Sequence, residues 1–217
     1  MMWRRLRGER GMTLTELLIA MSILSIVLLV FLGLLGRMQV SFGRASGRSQ
    51  TNDQARLAVE ELDREIRSGN VLYDPSAEDD PANDISPGMS LRVYTQTNAT
   101  TRGGPRCVQW RINSAEELQR REWTVNWTDD PDTLVSGWRV VADHVVNRSM
   151  SPPVTAFGLA AGGAAAPDVY GSRVVNIDLI VNVKASSGRN VEIEESVTGR
   201  NTEFGYPTST CSSIPPY

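Results

Sequence analysis

At 217 residues and 23.8 kDa the chain has room for one ordinary domain with an appendage, or for two very small domains, and a large multidomain enzyme is excluded. Its composition, 41% hydrophobic, 22% charged and 6% aromatic, is that of a folded chain, and a net charge of −3 gives no overall attraction for nucleic acid. The averages conceal a division, because the first 35 residues differ from everything after them.

Residues 1–11, MMWRRLRGERG, carry Arg4, Arg5, Arg7 and Arg10 against Glu9, a local charge of +3 that leaves −6 on the remaining 206 residues. Leu17 to Leu35 then runs nineteen residues without a formal charge. That is about the length a helix needs to cross a hydrocarbon core of ~30 Å at ~1.5 Å per residue. The arginines on its amino-terminal side favour a cytoplasmic amino terminus, which sends the rest of the chain across the membrane. The run is longer than the apolar stretch of a secretory signal, and GRMQVSFGRASG after it offers no A-x-A cleavage site. Glu16 is the residue that needs explaining, since an acidic group deep in a bilayer costs about 2.5 to 3.5 kcal/mol and marks a functional position by default.

Two cysteines, Cys107 and Cys211, are too few for a disulfide framework, and their separation of 104 residues does not match a zinc motif. In an exported chain one bridge would tie the carboxy-terminal tail to the body; two free thiols are the other reading, and the sequence leaves both open.

Arg10-Gly11-Met12-Thr13-Leu14-Thr15-Glu16-Leu17-Leu18-Ile19-Ala20 resembles the prepilin-type cleavage and methylation motif of type IV pilins and type II secretion pseudopilins. The resemblance implies that a membrane prepilin peptidase cuts between Gly11 and Met12 and N-methylates Met12, where the family often has Phe. It also makes Glu16 the fifth residue of the mature chain and gives it a role in assembly. The chemistry is sound, because cleavage removes the arginines and frees an amine on Met12. In a filament that ammonium pairs with the Glu16 of a neighbour, and an isolated charge becomes a neutralised, register-setting pair. The alternative is a simple membrane anchor whose Glu16 snorkels to the headgroups.

No proline lies between Met12 and Ser68, so the sequence allows one helix of about 57 residues. Gly33, Gly36, Gly43 and Gly47 make it soft in the middle, each at about 1 kcal/mol relative to Ala. Many members of the resembled family carry a proline where this chain has Gly33, which suggests local melting on assembly. From Gln50 onward Ala55, Val59, Leu62 and Ile66 recur at helical spacing, with Glu60/Arg64 and Asp63/Arg67 as i,i+4 pairs. Thr51-x-x-Gln54 would cap a helix broken before it, and Gly69-Asn70 is a stop signal. The chain thus divides into a leader (1–11), a membrane and filament-core helix (12–35), an extension onto the head (36–69) and a β-rich extracytoplasmic head (70–217).

In the head, Ser90–Thr97 and Arg106–Ile112 are strand patterns around a Gly103-Gly104-Pro105 turn region. Ser114–Arg121 fits either a capped helical turn or a hairpin, and the hairpin is favoured. Arg173–Lys184 alternates most clearly, with Val175, Ile177, Leu179, Val181 and Val183 on one face, and Asn190–Thr198 is its antiparallel partner. The expected fold class is α+β, with the carboxy-terminal half of the long helix packed on an antiparallel sheet. QARLAVEELDREIRSGN and the later stretch WRVVADHVVNRSMSPPVTAFGL also resemble PilW-like minor pilins and minor pseudopilin J.

No catalytic constellation is visible. His144 is the only histidine and reads as structural, no nucleophile elbow or phosphate-binding glycine pattern occurs, and no cofactor is expected. Residues 74–84 concentrate five carboxylates but lack EF-hand spacing, so a solvated loop is preferred to a calcium site. Trp110, Trp123, Trp127 and Trp138 among Arg106, Arg111, Arg120, Arg121 and Arg139 would bind single-stranded DNA if they shared an exposed face; cross-strand packing is preferred. The expected function is therefore structural: a minor pilin or pseudopilin of the inner membrane, with prepilin peptidase, other major and minor pilins, the assembly platform and lipid as partners. A DNA-binding competence pseudopilin and a membrane-anchored protein of other activity are the alternatives.

Overall fold

The computed structural model describes residues 12–96, 104–129, 135–160, 174–182, 190–199 and 208–216. Two compact units make up the chain, Met1–Gly47 and Arg48–Tyr217. A single helix, α1 (Leu14–Ser68, 55 residues), forms the described part of the first unit and opens the second. It passes through Gly33, Gly36 and Gly43 without a break, and a Cβ added at any of the three would meet nothing within 4 Å. The Thr51-x-x-Gln54 pattern is therefore inside a continuous helix and has no amino-terminus to cap. With no proline in the run, the scattered glycine costs do not interrupt the hydrogen-bond ladder.

After α1 come β1 (Gly69–Leu72), β2 (Ser90–Gln96), β3 (Pro105–Ile112), β4 (Leu118–Thr124), β5 (Arg139–Ala142), β6 (Phe157–Leu159), β7 (Val174–Val181) and β8 (Val191–Thr198). These make a five-stranded sheet in the order β1-β2-β3-β4-β5 and a three-stranded sheet β6-β7-β8, antiparallel throughout. The head is thus the α+β arrangement expected, with its β-structure in two sheets. The helix ends as Gly69-Asn70 signals, but the chain enters β1 at once. A Cβ on Gly69 would lie 2.6 Å from Val93 Cγ1 and 3.1 Å from the Ile66 carbonyl oxygen, so only glycine fits between the helix end and β2. The favoured hairpin is present between β3 and β4. There the Asn113 side-chain oxygen accepts from the backbone N–H groups of Ala115 (3.0 Å) and Glu117 (2.9 Å), and Glu116 sits at φ 63°.

Ala55, Ala58, Val59, Leu62 and Ile66 put one helical face into a core shared with Leu91, Val93, Val108, Trp110, Ile112 and Leu118 of the first sheet and Val175, Ile177, Leu179 and Val197 of the second. A polar seam reinforces this interface. Glu65 accepts from Trp110 Nε1 (2.6 Å) and pairs with Arg120 (2.6 Å), which also meets Glu122 (2.9 Å). Glu61 pairs with Arg139 at 2.6 Å. Because Glu65→Ala leaves a buried indole N–H and a guanidinium without their main acceptor, it should destabilise the head by about 3 kcal/mol. Thermal unfolding of the full chain in detergent, followed by tryptophan fluorescence, measures this.

The opposite face of the five-stranded sheet holds a second cluster. A disulfide joins Cys107 and Cys211, with Cα atoms 5.8 Å apart, beside buried Tyr94 and Trp123. The tail around it is tied down by side chains of the sheet and the turn after it. Arg92 Nη1 donates to the Cys211 carbonyl (2.7 Å), Arg121 Nη1 to the Pro215 carbonyl (3.1 Å) and Trp127 Nε1 to the Ser213 carbonyl (3.1 Å), while the Cys211 N–H donates to Tyr73 Oη (3.1 Å).

Candidate functional site: the amino-terminal segment

The site is built from the start of α1. Thr13 precedes the helix, and the Glu16 backbone N–H donates to both its carbonyl (3.1 Å) and its Oγ1 (3.3 Å). Thr13 is therefore the N-cap and Glu16 the third helical residue, where a carboxylate also complements the positive end of the helix dipole. Thr13-x-x-Glu16 ahead of an apolar run has capping-box spacing, so the helix start is marked in the sequence at Thr13 and not at Thr51.

From Met12 to Ser46 every residue is exposed, including Leu14 at 76% and Leu29 and Phe42 at 72%. Burying a side chain of this kind is worth about 1.5 to 3 kcal/mol, so such a surface in water would be strongly unfavourable and calls for lipid or protein around it. The helix is long and apolar enough to cross a membrane. Its hydroxyls are satisfied internally, Ser22 Oγ donating to the Ile19 carbonyl and Ser25 Oγ to the Met21 carbonyl, each at 2.8 Å. That leaves Glu16 as the one ionisable group between Met12 and Leu35.

Glu16 thus lies in the first turn of the helix and Met12 one residue before the cap, so an amine on Met12 and the Glu16 carboxylate would both stand at the same helix end. Residues 1–11, Gly11 among them, lie outside the described residues. Cys107 and Cys211 stand apart from this segment, bonded to each other in the head.

His144 adopts φ 59°, lies 3.1 Å from the Asp143 carboxylate and accepts a hydrogen bond at its carbonyl from the Asn182 N–H (2.9 Å). Those contacts serve the loop conformation. The tryptophan and arginine residues weighed for DNA form no exposed track. Trp110 and Trp123 are fully buried, Arg121 is 2% exposed and Arg111 7%, and both guanidinium groups stack on Trp138, at 4.3 and 3.9 Å.

Four of the five carboxylates in 74–84 are engaged by the protein itself. Asp74 caps the turn at Pro75–Ala77 by accepting from Ser76, Glu78 pairs with Arg92 (2.7 Å), Asp80 accepts from Asn83 (2.6 Å) and Asp84 pairs with Arg148 (2.6 Å). Burial pushes the carboxyls of Glu65 and Glu78 above the usual range despite their arginines. Burial opposes ionisation of Asp84 too, but the Ser114 N–H and Arg148 hold its carboxyl below that range. A raised carboxyl contributes stability that is present at low pH and lost as pH rises through its folded value; a lowered one contributes above its unfolded value and loses this as pH falls through its folded value. The melting temperature of the head should therefore hold or rise from about pH 7 to pH 5 and fall only below about pH 4, where Asp84 titrates. A steady fall from pH 7 to pH 5 would contradict this.

One cluster was not anticipated. Carboxylate oxygens of Asp178, Glu192 and Glu194 lie within 4.8 Å of one another on the β7/β8 hairpin. Both strands are legible in the sequence, but that these three groups share a face follows from the register, which pairs Asp178 with Glu194.

No curated protein and no solved structure matches the chain. Residues 6–32 match the family model of the prokaryotic N-terminal methylation motif, a stretch that includes Gly11, Met12, Thr13, Glu16 and most of the apolar run. The amino-terminal segment accordingly carries a prepilin-like N-terminal methylation motif.

Proposed function

We propose that this chain is a minor pilin or pseudopilin. It is inserted in the inner membrane with a cytoplasmic amino terminus, cut between Gly11 and Met12 by prepilin peptidase, N-methylated on Met12, and assembled through the apolar part of α1 into the tip or priming complex of a type IV pilus or type II secretion pseudopilus. The observation that carries this reading is the exposed apolar part of α1 up to Leu35, whose one ionisable group, Glu16, sits in the first turn inside a matched methylation motif. Lipid accommodates such a helix before assembly, and neighbouring helices cover it afterwards. In the filament the Met12 ammonium and Glu16 carboxylate of adjacent subunits neutralise each other, which sets the axial register. The head, with its own core and disulfide, presents surfaces to other minor subunits, as the likeness to PilW-like proteins and minor pseudopilin J suggests.

Fractionation tests the assignment. Filaments sheared from cells should contain the processed chain at far lower abundance than the major subunit. A chain confined to the membrane fraction while filaments assemble normally without it would exclude a filament role.

A further inference from the structure

We propose that the outer edge of β8 is a docking edge that takes up an extended, basic segment of a different protein as an added β-strand. This goes beyond the filament-subunit reading and does not depend on it. The backbone argument comes first. Asp178 donates its N–H to the Ala156 carbonyl (2.9 Å) and the Val174 carbonyl accepts from Ala160 (3.0 Å), so even-numbered residues of β7 turn their backbone groups towards β6. In an antiparallel ladder the odd-numbered residues then bond to β8, through the pairs Val175/Val197, Ile177/Glu195 and Leu179/Ile193. The backbone N–H and C=O groups of Glu192, Glu194, Ser196 and Thr198 therefore point outward, and they have no partner among the described residues.

The side chains give the chemistry. Glu192 and Glu194 are exposed and stand two residues apart on one face, with Asp178 across from Glu194. Glu195 faces the other way, into a groove of about 780 Å³ lined by Val59, Glu60, Asp63 and Arg67 of α1. Among the described residues no ion pair involves Glu192, Glu194 or Glu195, and Asp178 Oδ1 is buried without a hydrogen-bond partner. Burial and the two glutamates push the Asp178 carboxyl up. Like charges directly opposite each other destabilise a sheet, and cations on a third strand would relieve this pair. A strand added about 4.8 Å from β8 would hydrogen-bond at Glu192, Glu194 and Ser196, and arginine or lysine at alternate positions would meet the two glutamates. The described strands of this chain hold no basic residues two apart, so none of those strands would supply that pattern from a second copy.

The test uses the full chain in detergent micelles and a capped synthetic peptide, Thr-Val-Arg-Val-Arg-Val-Thr. Saturable binding below about 1 mM is expected, with slowed amide exchange at Glu192, Glu194 and Ser196. Glu192→Gln with Glu194→Gln should weaken binding about tenfold, and N-methylation of alternate peptide amides should abolish it without any change to the protein. Absence of binding, unchanged exchange at those amides, or equal binding of the N-methylated peptide would overturn the proposal. So would calcium chloride occupying the three carboxylates while the peptide gives no protection, which would make the cluster a cation site. Self-association of the double variant without peptide binding to the parent chain would overturn it as well, because the glutamates would then serve only to keep the edge unpaired.

Discussion

Glu16→Gln should leave membrane insertion intact and lower incorporation into filaments by a factor of about a hundred or more. Removing one partner of an ion pair in a low-dielectric surrounding costs about 3 to 5 kcal/mol, because the other charge stays buried and uncompensated, and each 1.4 kcal/mol is a factor of ten. The partner left behind would be the Met12 ammonium of the adjacent subunit. Insertion should not suffer, since glutamine is cheaper to place in a bilayer than a carboxylate, and the Thr13 cap binds the backbone N–H at position 16 whatever its side chain. Immunoblots of membrane and sheared fractions separate the two effects. Equal amounts of variant and parent chain in the filament fraction would remove the paired charge from the mechanism and leave Glu16 as a helix-start residue.

The second large effect concerns the head. Replacing both Cys107 and Cys211 by serine opens a loop of 104 residues, for which the chain-entropy argument gives about 4 to 5 kcal/mol. Against a domain stability of about 5 to 15 kcal/mol that is a large share, and only a minority of heads should stay folded at elevated temperature. The tail itself should loosen first. Its hydrogen bonds to Arg92, Arg121 and Trp127 are each worth about 1 kcal/mol and do not hold it without the covalent link. Denaturant unfolding of parent and variant in the same detergent measures the loss, and limited proteolysis should cut the variant near the carboxy terminus. A difference below about 1 kcal/mol would mean that the hydrogen bonds alone hold the tail.

The features legible in the sequence are those encoded locally. The apolar run, the helical spacing of Ala55, Val59, Leu62 and Ile66, and the alternation in β7 each sit within a short window and fix an element without reference to the rest of the chain. Elements formed by long-range pairing were harder to see. β1 is four residues long and is a strand because it lies against β2, and β6 is three residues held against β7. The arginine and tryptophan residues illustrate the same limit. Arg111 and Arg121 look like surface charge, yet they are buried because Trp138, Gln109 and Gln119 from other segments supply stacking and acceptors. At the candidate site, the resemblance of residues 10–20 to a prepilin motif is what names Gly11, Met12 and Glu16. What the structure adds is the Thr13 cap, which places Glu16 in the first turn, and the exposure of every residue of the helix behind it as far as Ser46.

Intact mass and amino-terminal sequencing of the chain recovered from its native membrane or filaments bear most directly on the filament-subunit reading. A chain that begins at N-methylated Met12, lacking residues 1–11, is the expected result. A chain that still begins at Met1 in cells with active prepilin peptidase would contradict it and leave an uncleaved membrane anchor.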